Sequence, residues 1–467
     1  MASIFTEKDS VFFVGGRGTK AGDANAGGCT KAAWEDAGLC NKTLSRVMDT
    51  NGESFVNAIC AVTDNGAGKC RLTKAGDVNI PCVGLVAFVS FDALHASGRY
   101  EVIAWNPVDW VDIDLAFVGV EDCYLRVGGA FDTLQNAIDK TDASHGYNVQ
   151  IYDNKPETLG ATLDFDTTGG SIANNSQFIV EGFNVQPGDM NYKKTYYQSP
   201  MDCLKNGVDT NKCVTLNANG GAFPVISIDN FDGLVLKNFY PYNTNKASPN
   251  NGVTFANTPV DVSFVNCRVD TAYYGVSGQC YGGQFRDCYF GNDMDGNLNT
   301  DVDTYGGAFV NCVFNSDGLT YGPIIKYTVF ESCLFWKGLY GCKAGYPVHL
   351  VNCVFYGQTT ACIQVYSATY ACITGYNNIF IPAEAADFAV RALTAAGSVS
   401  DDALVNSCVW TLAGVAMINH ISVNGLTRQL SSVIDADPLF KDAVNNDFKL
   451  KINSPCLKTG IQTLGKL

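Results

Sequence analysis

One short phrase recurs through the middle of the chain and limits what it can fold into. It reads Phe264-Val265-Asn266-Cys267-Arg268-Val269, Phe285-Arg286-Asp287-Cys288-Tyr289-Phe290, Phe309-Val310-Asn311-Cys312-Val313-Phe314, Phe330-Glu331-Ser332-Cys333-Leu334-Phe335 and Leu350-Val351-Asn352-Cys353-Val354-Phe355. Looser copies flank it: Val180-Glu181-Gly182-Phe183-Asn184-Val185, Leu236-Lys237-Asn238-Phe239, Asn377-Asn378-Ile379-Phe380 and Ser407-Cys408-Val409-Trp410. Self-similarity at intervals of roughly 20 to 30 residues marks a stacked architecture, in which each repeat buries its apolar face on the next.

The residue types in the phrase have a geometric reason. On a straight strand the first apolar residue and the Cys three positions later would face opposite ways. Both face inward only if the chain turns between them, and the turn residue is Gly182, Asn238, Asn266, Asp287, Asn311, Ser332, Asn352, Asn377 or Ser407. Apart from the two serines, these are Gly, Asn and Asp, the types that enter the left-handed region at least cost. Stacked corner Asn residues can also hydrogen-bond from coil to coil. In register, Cys267, Cys288, Cys312, Cys333, Cys353 and Cys408 form a buried stack with neighbours about 4.8 Å apart, a parallel spacing wider than a disulfide accepts. Free thiols acting as small hydrophobes are expected, and a linear stack cannot provide the tetrahedron that Zn²⁺ takes.

Inward stacks of Phe and Cys beside a ladder of corner Asn resemble the right-handed parallel β-helix (pectin-lyase-like) superfamily, of the kind found in bacteriophage spike, fibre and decoration proteins. The resemblance runs from about Phe131 to the C-terminus. It implies an all-β chain: a right-handed parallel β-helix solenoid over 128–435, with a separate β-rich N-terminal region over 1–127. Phe131, Leu134, Ala137 and Ile138 fall at helical spacing and are similar to the helix that caps such solenoids, near 131–140. Asp437-Pro438-Leu439-Phe440, Asp447-Phe448-Lys449-Leu450 and Ser454-Pro455-Cys456 resemble a closing segment, 436–467, expected to cover an open strand edge.

Composition supports stacking over a single large core. The chain has 467 residues, 47 of them Gly, with 12% aromatic and only 16% charged residues, which favours short strands and tight turns. A net charge of -15 without a Lys/Arg cluster excludes a nucleic-acid surface. No apolar run is long enough for a membrane span, so no membrane insertion is expected. The start, Met1 to Asp9, lacks a basic region followed by an apolar stretch, so export by a standard signal is not expected. Nineteen Cys in such a chain are expected to be thiols.

The N-terminal region carries Trp34, Trp105 and Trp110 with alternating apolar runs at 84–91 and 112–118. Its Cys29, Cys40, Cys60, Cys70 and Cys82 are expected to be buried hydrophobes. Gly15-Gly16-Arg17-Gly18-Thr19-Lys20 matches no phosphate-loop pattern and is taken as a turn.

The sharpest candidate for a ligand site is 293–303. Asp293, Asp295, Asn297, Asn299 and Asp301 offer the oxygen donors that Ca²⁺ needs, but a Gly at the sixth place and a closing Glu are missing, so a solvated protruding loop is the expected reading and Ca²⁺ the alternative. Asn299-Thr300-Asp301 resembles the first motif of polygalacturonases, whose remaining motifs are missing at suitable distances. Pectate-lyase chemistry would need an Arg beside a Ca²⁺ cluster. The basic residues Lys237, Arg268, Arg286, Lys326, Lys337, Lys343 and Arg391 are read as solvated and out of register, although Arg268 and Arg286 on adjacent coils could line a groove. His95, His145, His349 and His420 are too scattered for a triad.

The resemblance implies a non-catalytic structural protein of a bacteriophage virion, with no cofactor. It would be assembled in host cytoplasm, dock to other virion proteins through the N-terminal region, form a homotrimer and contact host glycan or surface protein. The alternatives are a depolymerase tailspike, with Asp270, Asp293, Asp295, Asp301 and Asp303 as candidate carboxylates, and an exported extracellular or cell-surface adhesin.

Overall fold

The computed structural model describes residues 9–14, 58–73, 86–96, 98–106, 110–128, 133–139, 148–154, 156–166, 177–184, 188–245, 250–270, 274–291, 296–298, 303–317, 323–366, 373–384, 387–393, 405–417, 419–430 and 433–458. The chain forms two compact units. One comprises residues 1–157, 168–190 and 194–196, the other residues 158–167, 191–193 and 197–467.

In the first unit, antiparallel strands Ala58–Asp64, Lys69–Thr73, Val86–Phe91, Gly98–Asn106, Trp110–Ala116 and Glu121–Gly128 close into a barrel. Alternation fills it: Cys70 and Leu72 point inward to join Cys60, Val62, Val89, Phe91, Val111, Ile113 and Cys123. Arg71, between the two inward residues, turns outward and binds Asp112 through two hydrogen bonds of 2.7 and 2.9 Å, with its guanidinium 3.7 Å from the centroid of Trp110. Cys60 and Cys123 stand opposite one another, and neither they nor Cys70 is in a disulfide, whereas Cys29, Cys40 and Cys82 lie outside the described residues.

The same unit holds three parallel strands, Asp9–Val14, Asn148–Asp153 and Gln177–Gly182, with 148–153 in the centre. Residues 9–14, which precede the barrel in the chain, pair with a strand that follows it, across the expected boundary near residue 127. A short helix, Leu134–Asp139, buries Leu134 and Ile138, and Glu157 accepts the Leu134 N–H at 2.6 Å.

The second unit is a parallel β-solenoid. Its first sheet runs through Leu234–Lys237, Ser263–Val265, Gln284–Arg286, Asp303–Val310, Ile324–Glu331, Val348–Val351 and Ile373–Tyr376. The second runs from Val214–Asn217 and Phe239–Tyr242 through Arg268–Asp270, Tyr289–Gly291, Val313–Asn315, Leu334–Trp336, Val354–Tyr356 and Ile379–Ile381 to Cys408–Val409 and Ile434–Asp435. A third side is formed by Leu163–Asp166, Ile226–Asp229, Val253–Ala256, Tyr274–Gly278 and Gly296–Leu298, and, on later coils, by Tyr340–Ala344, Ala361–Val365, Phe388–Ala392 and Ile421–Val423.

Aromatic rings fill the interior in two facing columns. Phe264, Phe285, Phe309 and Phe330 stack at 5.0, 4.5 and 5.0 Å between centroids. Phe290, Phe314, Phe335, Phe355 and Phe380 stack at 5.0, 5.0, 4.2 and 5.0 Å. The columns meet edge to face, as at Phe309–Phe314, 5.6 Å apart and inclined by 63°. This is the arrangement that the ring quadrupole favours, since the electropositive edge of one ring meets the π face of the other.

The outer face of the second sheet is not exposed either. Tyr289, Val313, Leu334, Trp336, Val354, Tyr356, Ile379 and Ile381 are covered by Met201 and Cys203 of the helix Pro200–Asn206 and by Phe440, Phe448, Leu450 and Cys456. The segment expected to close an edge thus covers a face. Its hairpin, Phe440–Asp442 with Asp447–Leu450, alternates apolar and polar residues, and Phe448 packs edge-on to Trp336 at 5.7 Å and Tyr356 at 5.1 Å.

Truncation of Phe309, which is fully buried between neighbours in both columns, removes ring contacts and leaves a cavity. Phe309→Ala is expected to destabilise the solenoid by about 3–5 kcal/mol in chemical denaturation, whereas substitution of exposed Val329 should leave the midpoint nearly unchanged.

Candidate functional site

The corner between the first and second sheets is a single left-handed residue. Asn238, Asn266, Asp287, Asn311, Ser332, Asn352, Asn377 and Asn406 have φ of 66, 54, 55, 55, 55, 53, 59 and 50°. From Asn238 to Asn377 the corner N–H groups follow the ladder to the next coil, as from Asn311 to the Glu331 carbonyl at 3.0 Å. Side chains link some corners directly: Asn266 Nδ2 donates to Asn238 Oδ1 at 2.8 Å, Asn311 to Asp287 at 3.3 Å, and Asn406 to Asn377 at 2.6 Å.

Three sequence assignments need correction here. Gly182 is not left-handed and simply ends the strand Gln177–Gly182. The last corner is Asn406 rather than Ser407. Cys408 pairs with Ile379, so Ser407 occupies the thiol position and Cys408 lies one place further along, facing Cys456 and the C-terminal segment. Its thiol donates to the Ala436 carbonyl at 3.1 Å.

The remaining column is continuous. Cys267, Cys288, Cys312, Cys333 and Cys353 are buried and free. Each thiol donates to the carbonyl of the core apolar residue one coil earlier: to Leu236, Phe264, Phe285, Phe309 and Phe330 at 3.4–3.5 Å. Burial raises the pKa of Cys267, Cys288, Cys312 and Cys333 well above the ordinary thiol value, which keeps them protonated and inert. On the next coil Asn378 takes the slot and its amide donates to the Leu350 carbonyl at 3.1 Å, the same bond made by a different group.

Arg268 is the largest fully buried side chain, on the covered outer face of the second sheet. Its guanidinium donates to Asn266 Oδ1 at 2.7 Å and to the Asn266 and Gln198 carbonyls. Gln198 in turn holds both Gly207 O, at 2.9 Å, and Asp209 N, at 3.0 Å, so Arg268 ties the segment around helix 200–206 to the corner ladder. It is neither solvated nor beside Arg286, which belongs to the first sheet and is exposed. The basic residues also share registers that the sequence hid: Lys237 aligns with Arg286 through Val265, and Lys343 aligns with Arg391 through Gln364.

Of the Ca²⁺ candidates, Asp293, Asp295, Asn299 and Asp301 lie outside the described residues. Asn297 sits in the strand Gly296–Leu298, which pairs with Tyr274–Gly278, so this part of the stretch is a rung of the solenoid rather than a protruding loop. Among the described residues no group of His, Cys, Asp and Glu is placed to hold a metal ion, and no helix is long and apolar enough to cross a membrane.

The barrel holds a constellation that the sequence reading missed. Glu121 accepts the N–H groups of Ala93, Leu94 and His95 at 2.6, 2.9 and 2.8 Å, and also the His95 ring Nδ1–H. His95 Nε2 accepts the Val118 N–H at 3.0 Å, which places the ring proton on Nδ1. His420 does the same in the solenoid, its Nδ1 accepting Leu430 N–H at 3.0 Å while Nε2 faces Asp435 at 2.8 Å. Both histidines are ties between backbone segments.

No protein family matches the chain, and no curated protein does. Solved structures do. Pectate lyase Pel9A aligns with a TM-score of 0.42 and 12% identity over 70% of this chain and 85% of that one. The alginate lyase of Paenibacillus sp. str. FPU-7 aligns at 0.37 and 11%, over 63% and 97%. The Gp54 tailspike of Acinetobacter baumannii bacteriophage AP22, solved with A. baumannii capsular saccharide, aligns at 0.30 and 10%, over 79% and 56%.

Two outcomes test these assignments. Desolvation pushes the Glu121 carboxyl up, but the N–H groups of Leu94 and Ala93 and the His95 ring outweigh it and bring its pKa down to about 2. A carboxyl depressed in the folded state stabilises above its unfolded pKa, about 4.3. Barrel stability is therefore expected to fall as pH drops from about 4.3 towards 2, and Glu121→Gln should flatten this acid limb in thermal melts. At the corner, Asn311→Val forces a β-branched residue to positive φ and should cost about 1–3 kcal/mol, while Asn311→Gly should cost less.

On the topology of its own sheets, the chain is a right-handed parallel β-helix, with a β-barrel in its N-terminal unit.

Proposed function

We propose that this protein is a structural, non-catalytic component of a bacteriophage virion, a β-helical projection whose outer faces contact the host surface and whose N-terminal unit docks to other virion proteins. The observation that carries the reading is the column of reduced thiols. Five cysteines in successive coils, buried and unbridged, suit a chain that folds where thiols stay reduced, as in a host cytoplasm before lysis. The stacked Phe columns beside them fill the interior, so recognition falls to the outer faces. Trimer formation is part of the proposal, as in the resemblance drawn from the sequence.

Antibodies against the chain are expected to decorate phage particles purified from lysates of the producing cells. Light scattering of the purified protein should give three times the chain mass. Recovery of the chain only in the cell envelope or as a secreted species contradicts the virion reading. Incubation with host capsular polysaccharide should leave viscosity unchanged, and a fall in viscosity would make the protein a depolymerase.

A further inference from the structure

Two thiols of the solenoid stand apart from its column and meet across two layers. Cys408 continues the outward row of the second sheet, in register with Ile379 on one side and Ile434 on the other. Cys456 belongs to the cover, on the short helix Pro455–Lys458. Both are buried in the same apolar cluster, and neither is in a disulfide.

Both ends of the pair are tied to the segment 436–438. Cys408 donates its thiol hydrogen to the Ala436 carbonyl at 3.1 Å, and Ser454 donates to the Pro438 carbonyl at 2.5 Å while accepting the Cys456 N–H at 3.2 Å. The two cysteine side chains also hydrogen-bond with each other, a contact that raises the Cys408 pKa and lowers that of Cys456. Desolvation opposes the lowering at Cys456, and the Ser454 hydroxyl adds to it. The approach of the pair differs from that in the column. Column neighbours project side by side from one sheet, whereas Cys408 and Cys456 project toward each other from facing layers. Their Cβ atoms are therefore not held at the strand spacing of about 4.8 Å and can reach the separation of about 3.8 Å that a disulfide takes.

We propose that Cys408 and Cys456 are a redox latch, which a small disulfide such as oxidised glutathione closes into a bond that fastens the C-terminal cover to the second sheet. Cys456, the thiol of lower pKa, is the nucleophile. Its thiolate attacks one sulfur of the small disulfide and expels one small thiolate. Cys408 then loses its proton and attacks Cys456 Sγ in the mixed disulfide, and the second small thiolate leaves. The protein gives up two electrons and two protons, and the small disulfide becomes two thiols. Access needs only a local opening of the turn 455–458, which carries the exposed Leu457 and follows the exposed Ile452, and lifting Cys456 uncovers Cys408 as well. A single exposed turn is the kind of element that opens at small cost. The column thiols, sealed inside the solenoid, have no such route. The latch rests on the geometry of the solenoid alone, so its failure leaves the virion reading standing, and loss of the virion reading leaves the latch.

The full chain, purified with a reductant and then moved into oxidised glutathione under native conditions, tests the latch. After the remaining thiols are alkylated in denaturant, digestion without reductant should yield one cross-linked peptide pair, joining Cys408 to Cys456 and about 2 Da lighter than the two thiol peptides together. The five column cysteines should all be alkylated. The oxidised protein should melt about 5 °C above the reduced one, because the bond restricts the unfolded chain between residues 408 and 456, and a phosphine reductant should reverse the shift. In Cys408→Ala and Cys456→Ala both the link and the shift should be absent. Recovery of both cysteines alkylated, a persistent glutathione adduct on Cys456, a link to any other cysteine, or a link that leaves the melting temperature unchanged would overturn the assignment. If the variants fail to fold, the peptide map and melting shift of the unmodified protein decide the matter alone.

Discussion

The solenoid depends on how the backbone passes from its first sheet to its second. A residue at positive φ turns the chain so that the apolar residue before it and the thiol after it both face inward, which simple alternation forbids. The thiol of the next coil meets the carbonyl of the inward apolar residue before the turn, from Cys267 on Leu236 to Cys353 on Phe330. A thiol suits this slot because it is small, weakly polar and able to donate. Where Asn378 replaces it, the amide makes the same bond to Leu350, which shows that the carbonyl contact is part of what the position requires.

From that corner the remaining packing follows. Fixed register on both sides of the turn aligns the two Phe columns, and their edge-to-face contact sets the spacing between the sheets. It also brings Tyr289, Val313, Leu334, Val354 and Ile379 into one apolar stripe on the outer side of the second sheet. Such a stripe needs a cover, and helix 200–206 with the C-terminal hairpin supplies it. Arg268 stands at the same register position as Tyr289, and its hydrogen bonds to Asn266 and Gln198 fasten the cover to the corner itself.

How far the sequence disclosed this varies by element. The corner and the thiol positions were legible because apolar-x-x-Cys cannot lie with both ends inside on a straight strand. The last copy was misjudged because Ser407-Cys408 mimics Asn-Cys, while Asn406, one place earlier, was the better left-handed residue. Gly182 misled because glycine tolerates a corner without requiring one. The third side has no recurring phrase, and loops of unequal length precede its strands, so the alignment of Lys343 with Arg391 could not be counted out along the chain. The strand Gly296–Leu298 was hidden within a polar stretch, where pairing with its neighbour decides the conformation. In the barrel, Glu121 begins a strand and His95 lies in a distant loop, and only pairing within the sheet brings them together.

The anomalous scattering of sulfur in crystals of the native protein tests the central claim most directly. The account predicts five separate sulfur peaks for Cys267, Cys288, Cys312, Cys333 and Cys353, in one line with neighbours about 4.8 Å apart. Peaks merged in pairs at the disulfide distance of about 2.05 Å, or scattered without a common line, would contradict it.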